Sequence, residues 1–168
     1  MNRKITALGM WLALGFIVSL FFHQFPLKVG QVLLPLHFVV ILAGAISGPF
    51  VGGITGLLTP LLSALIVGKP PIQPPIAVFM AFELFAYGLI TGFLTARGKN
   101  IYLSMLLAWI AGRLIYVLEI IVVAPMLGFH MGTFYALLIS YLIGLPGVAI
   151  QLFLIPVVFK RIRSLKQA

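Results

Sequence analysis

The sequence predicts an all-α integral membrane protein, a six-transmembrane-helix bundle with N- and C-termini cytoplasmic, and three observations carry that reading. The 168 residues are 62% hydrophobic and only 8% charged, against roughly 25% charged in an average soluble domain, and the mean hydropathy is +1.23. The apolar residues fall into six runs, and about 20 such residues suffice to cross the hydrocarbon core. The charge is also lopsided. With the N-terminus in the cytoplasm, Arg3, Lys4, Arg97, Lys99, Lys160, Arg161, Arg163 and Lys166 lie on that side and only Lys28 and Lys69 lie outside, as the positive-inside rule requires. An odd number of crossings would spoil this distribution. The chain reads as one membrane domain over 1–168, with no room for a soluble one.

The first helix, about 4–22, follows a positive start but lacks the polar, small-residue cleavage region of a signal peptide, so it is expected to be retained. Residues 23–34 read as a polar and aromatic connection. Two apolar runs, 35–46 and 50–67, are parted by Ser47, Gly48 and Pro49, a break tight enough to imply antiparallel neighbours. The segment GKPPIQPP, 68–75, is expected to be a stiff extended loop, because prolines remove donors and restrict the residues before them. A fourth helix runs over 76–96 and a fifth over 101–124, across the basic link Arg97 to Asn100, and 125–131 reads as a turn. The last stretch, 132–159, is longer than one crossing needs and contains Gly144, Pro146 and Gly147, so a tilt or kink is expected. In this topology the three longer loops share the outer face, where they are placed to cover a cavity.

Composition also excludes function classes. With no cysteine, disulfides and thiolate chemistry drop out. The net charge of +9 resides at helix ends, which explains it by topology rather than by nucleic acid. His23, His37 and His130 are dispersed and the carboxylates show no HxxH or ExxH spacing, so no metal site is expected. There is no Asp, no GxSxG elbow and no phosphate-binding loop, and no catalytic residue or cofactor is assigned.

The chemistry that remains is a few polar groups in lipid. Glu83 and Glu119 are the only acidic residues. Both fall inside predicted helices, as does Arg113, and ionisable groups there are costly and functional by default. Counted from the outer helix ends at about 1.5 Å per residue, the two glutamates sit roughly 8–10 Å deep and Arg113 a little deeper, within reach of one outward cavity. Arg113, Tyr116 and Glu119 are spaced by three, a row that drifts about 60° per step, while Glu83 and Tyr87 are four apart and share a face. Arg113 offers two parallel donors to a carboxylate or phosphate, and the glutamates and tyrosines, with Tyr141, suit hydroxyl or amide groups. The competing structural reading is an ion pair between Arg113 and one glutamate that locks the bundle. His37, Gln31 and Gln24 lie near the outer end of the second helix and read as interfacial or ligand-facing. In the first helix Gly9 and Ala13 form a small-xxx-small pair that lets another helix approach.

The run LPLHFVVILAGAISGPFVGGITGLLTPLLSALIVGKPP, followed by FMAFELFAYGLITGFL and the late GLPGVAIQLFLIP, resembles the substrate-binding S components of energy-coupling factor (ECF) vitamin transporters, over 34–156, and looks most like their pantothenate-type branch. The resemblance implies a six-helix subunit of the prokaryotic plasma membrane that captures a vitamin from outside. It would dock on a transmembrane T component with two cytoplasmic ATPases. It also implies a pocket in the outer halves of the fourth to sixth helices, where Glu83, Tyr87, Arg113, Tyr116, Glu119 and Tyr141 stand. The first-helix AxxxA pattern that contacts the T component is matched here as a GxxxA variant, Gly9 with Ala13. A carboxylate-binding Arg113 suits pantothenate, and niacin or a folate-type anion as well. Two other classes compete: a small proton-coupled exporter with Glu83 as carrier, against which stand the unequal halves and stiff outer loops, and a membrane enzyme using Glu83 and Glu119 as a pair.

Overall fold

The computed structural model describes residues 2–129, 131 and 134–167. Six segments are long and apolar enough to cross a membrane: Arg3–His23, Leu27–Ser47, Pro49–Val67, Ile76–Ala96, Ile101–Met126 and Leu137–Leu165. Among the described residues there is no strand. Large apolar side chains such as Leu65, Leu114 and Phe153 face outward. In water such a surface would aggregate, whereas in lipid it is the solvent-facing side.

The first helix, α1 (Asn2–His23), turns directly into a short helix, α2 (Leu27–Leu33). Here the structure differs from the expectation of a loop over 23–34. Pro35 has no N–H with which to continue α2, and its fixed φ instead starts a new helix at its first position. That new helix is α3 (Pro35–Ser47). Between them Leu34 takes a left-handed conformation, φ 51°, and its N–H closes α2 on the Gly30 carbonyl at 3.0 Å. The second crossing is therefore one broken span. A break in lipid is tolerated where protein buries it, and a later helix does so. From that helix Gln151 donates through Nε2 to the Leu34 carbonyl at 3.3 Å, and Gly147 lies against the backbone of Val32 and Leu33 so closely that a Cβ would collide.

Gly48 stands between Ser47 and Pro49 at φ 90°, a left-handed turn that favours glycine. It lets α4 (Pro49–Val67) fold back on α3. The helix α5 (Ile76–Ala96) then packs against both at backbone distance, because the facing positions are glycines: a Cβ on Gly88 would run into the Gly52 carbonyl, and one on Gly44 into that of Gly88. Small residues at such crossings supply the van der Waals contact that holds helices together in lipid.

Asn100 caps α6 (Ile101–Leu118) by accepting from the Tyr102 N–H at 2.9 Å. The helix does not end near 124. It passes through a π-helical turn, Glu119–Val123, into α7 (Ala124–Met126), and the expected turn over 125–131 shortens accordingly, with Pro125 taken into the first turn of α7. His130 and the expected helix start at 132 and 133 lie outside the described residues. The last helix, α8 (Phe134–Gln167), is continuous through Pro146 and Pro156. It runs past 159 into its basic tail, and its 29-residue span measures about 43 Å against a hydrocarbon core of about 30 Å.

One face of α1 packs on α3 and α4. Trp11 donates through Nε1 to Ser47 Oγ at 2.9 Å, and the hydroxyls of Ser19 and Ser63 are hydrogen-bonded to each other. Gly9 and Ala13 lie on the exposed side of the same helix.

Candidate solute-binding site

At the end of the bundle away from the termini, a cavity of about 240 Å³ opens between the α1–α2 turn, the break at Leu34, loop 68–75 and helices α5, α6 and α8. It is somewhat smaller than the usual run of ligand pockets, about 300–1,000 Å³, and so suits one small solute. Phe22, Phe25, Leu36 and Met80 give it apolar walls, and its polar groups include His37, Lys69, Glu83, Arg113, Tyr116 and Ser140.

Glu83 is the centre of the polar set. The four-residue spacing on α5 brings the Tyr87 hydroxyl beneath it, donating to Oε1 at 2.7 Å. Room for the Tyr87 ring comes from Gly112 on α6, where any Cβ would strike that ring. The next residue, Arg113, approaches the same carboxylate oxygen with Nη1 at 3.0 Å. The ion pair weighed as a structural alternative is thus present. It is asymmetric: the Glu83 side chain is 3% exposed and that of Arg113 is 27%, so the carboxylate is recessed in the cavity wall while more of the guanidinium is open. The guanidinium also lies over the Tyr141 ring, 4.6 Å from its centroid, a cation–π arrangement.

His37, two residues into α3 after Pro35, points at the same place. Its Nε2 is 4.0 Å from Glu83 Oε2, its ring is 5.4 Å from that of Tyr87, and neither ring nitrogen has a hydrogen-bond partner among the described residues. Buried polar groups are nearly always paired, so an imidazole left open at a cavity wall is one that a bound molecule can satisfy.

The structure therefore brings together Glu83, Tyr87, Arg113, Tyr116, Tyr141 and His37. Tyr87 and Tyr141 stand behind the wall, supporting Glu83 and Arg113 rather than lining the space. Glu119 is not brought to it. It is buried, 6% exposed, but does not line the cavity, and its neighbours Tyr116, Ile120 and Val123 join a separate apolar cluster with Phe79 and Leu137. Two steps of 60° from Arg113 carry a side chain about 120° around the helix, which takes Glu119 off the cavity wall but leaves it within electrostatic reach of Glu83 and Tyr116.

Sequence reasoning assigned Lys69 only to topology, yet its side chain lines the cavity. Nζ donates to the His23 carbonyl at 3.4 Å, and Ser63 donates through Oγ to the Lys69 carbonyl. The available signal was its place beside the proline-rich loop in a chain with two acidic residues and eleven basic ones. Among the described residues no group of three metal-ligating side chains converges. A second hollow of about 330 Å³, at the opposite end of the bundle, is lined largely by Ala45, Gly48, Gly92, Ala96 and Phe159, with Thr95 and Arg163. It contains neither glutamate nor any tyrosine, so it does not gather the buried polar groups of the chain.

The family model for the ECF transporter, substrate-specific component, matches residues 3–159. No curated protein and no solved structure matches the chain. The chain belongs to that family: it is a multi-pass membrane subunit of a transporter, not a catalytic one, and the family implies a transmembrane T component and ATPase partners.

Proposed function

We propose that this ECF substrate-specific component captures a small anionic vitamin, with pantothenate the best candidate, at the outer face of the cell membrane and passes it on through a T component driven by two cytoplasmic ATPases. One observation carries the ligand class: the cavity contains two cationic side chains, Arg113 and Lys69, and a single carboxylate, Glu83. A site with one positive charge in excess favours an anion, and low-dielectric walls make that preference stronger than it would be in water. Glu83, Tyr116 and His37 then supply hydrogen-bonding partners for the uncharged part of the solute. A pantothenate molecule has a carboxylate at one end, an amide in the middle and two hydroxyls at the other, which matches this set of groups.

Orientation follows from charge. The basic residues cluster at the ends of the helices on the side of the termini, so the cavity faces outward under the positive-inside rule. Docking uses the exposed face of α1, where Gly9 has nothing within 4 Å of a side chain built on it and Ala13 continues the small-residue stripe one turn on. The chain carries no nucleotide-binding loop, so energy must enter through the partners, and binding and transport separate. Cells that lack other uptake routes are expected to accumulate labelled pantothenate only when this chain, a T component and both ATPases are expressed together. Accumulation by the chain alone would overturn the partner-driven reading and favour a stand-alone carrier.

A further inference from the structure

We infer that Lys69, and not Arg113, receives the anionic group of the solute, and that the Arg113–Glu83 pair reads its uncharged, hydroxyl-bearing end. This rests on the proposed anionic vitamin and goes further by fixing which way round it sits and which residue selects its charge.

Charge balance singles out Lys69. The chain has two acidic side chains. Glu83 is within 3.0 Å of Arg113, and Glu119 lies outside the cavity. Arg113 therefore already has its counter-charge, with Tyr87 completing the set from the far side. Lys69 has no acidic side chain to pair with. Its ammonium spends one donor on the His23 carbonyl, and a lysine has three. Its main chain is fixed too, since the Lys69 carbonyl accepts from Ser63. The result is a positioned ammonium with two free donors and an uncompensated charge on the wall of the cavity.

Position agrees with charge. Lys69 belongs to loop 68–75 and is bonded to the end of α1, at the mouth. Glu83 lies seven residues into α5 from Ile76, about 10 Å further down the helix. Lys69 and Glu83 line the same cavity, so an elongated solute with a carboxylate at one end and hydroxyls at the other can lie along it with the carboxylate outermost. An anion driven instead onto Arg113 would have to compete with the buried Glu83 carboxylate, which repels it.

The test uses pantothenate and panthenol, in which the carboxylate is replaced by a hydroxymethyl group, titrated into the purified full chain as wild type, Lys69→Met and Lys69→Arg. A charge-assisted hydrogen bond is worth roughly tenfold or more in affinity. Wild type is expected to prefer pantothenate by at least about that factor. Lys69→Met should weaken pantothenate by a similar factor while panthenol stays within about threefold, and that retained binding shows the variant is folded. Lys69→Arg should keep the preference. A Lys69→Met protein that still discriminates between the two ligands, or that weakens both equally, overturns the inference while leaving the anionic-vitamin reading intact. Wild type that binds neither ligand overturns the pantothenate reading and this inference with it.

Discussion

Arg113→Ala is expected to weaken pantothenate binding severely and to destabilise the protein at the same time. Arg113 is 3.0 Å from a carboxylate whose side chain is 3% exposed, and removing one partner of such a pair leaves a buried charge without compensation, typically at a cost of about 3–5 kcal/mol. The same uncompensated Glu83 would then repel an anion entering the cavity, so affinity should fall by roughly a hundredfold or more. The two effects can be pulled apart. In the double variant Arg113→Ala with Glu83→Gln no charge is left unpaired, and most of the stability should return in an unfolding titration in detergent. Binding should remain weak, because the site has lost the fixed donors and the acceptor that orient the solute. Recovery of both stability and affinity in the double variant would show that the pair is only a bolt between α5 and α6.

The second large effect is structural. Gly88→Leu should prevent the bundle from assembling, because a side chain there meets the backbone carbonyl of Gly52 and a backbone cannot yield as a flexible side chain can. Even Gly88→Ala should cost about 3 kcal/mol or more, at or beyond the upper end of ordinary overpacking, read as the loss of monodisperse protein and a lower unfolding midpoint. Gly9→Leu is the control. Nothing stands within 4 Å of that position, so the isolated chain should fold and bind as wild type does. Any deficit of Gly9→Leu should appear only in complexes with the T component. An unchanged midpoint for Gly88→Ala would contradict the close crossing of α4 and α5.

Much of this was legible because lipid simplifies the reading of a sequence. Every apolar run of sufficient length became a crossing, and the Ser47–Gly48–Pro49 break became the turn between α3 and α4. The i,i+4 pair Glu83 and Tyr87 could be placed on one face by helix geometry alone, and the structure joins them by a hydrogen bond. The helix over Leu27–Leu33 was hidden. Its seven residues include Lys28, Gly30 and Gln31, and it is stabilised by Gln151 and Gly147 more than a hundred positions later in the chain, which no local pattern reveals. Glu119 stands off the cavity wall for a different reason: depth along the helix grouped it with Arg113, and depth does not record the drift of about 60° per step, which accumulates to about 120° over two steps. Lys69 was absorbed into the topology count, because a charge at a helix end satisfies that rule whether or not it also faces a cavity.

Capture of a small anionic vitamin in the cavity at Glu83 and Arg113, as proposed above, should not require the partner subunits. Isothermal titration of the purified chain with a panel containing pantothenate, niacin, folate and the cationic vitamin thiamine tests it most directly. Saturable binding of one anionic vitamin, pantothenate first, is expected at one molecule per chain, with no competition by thiamine. Preferential binding of thiamine, or no binding of any anion, would contradict it.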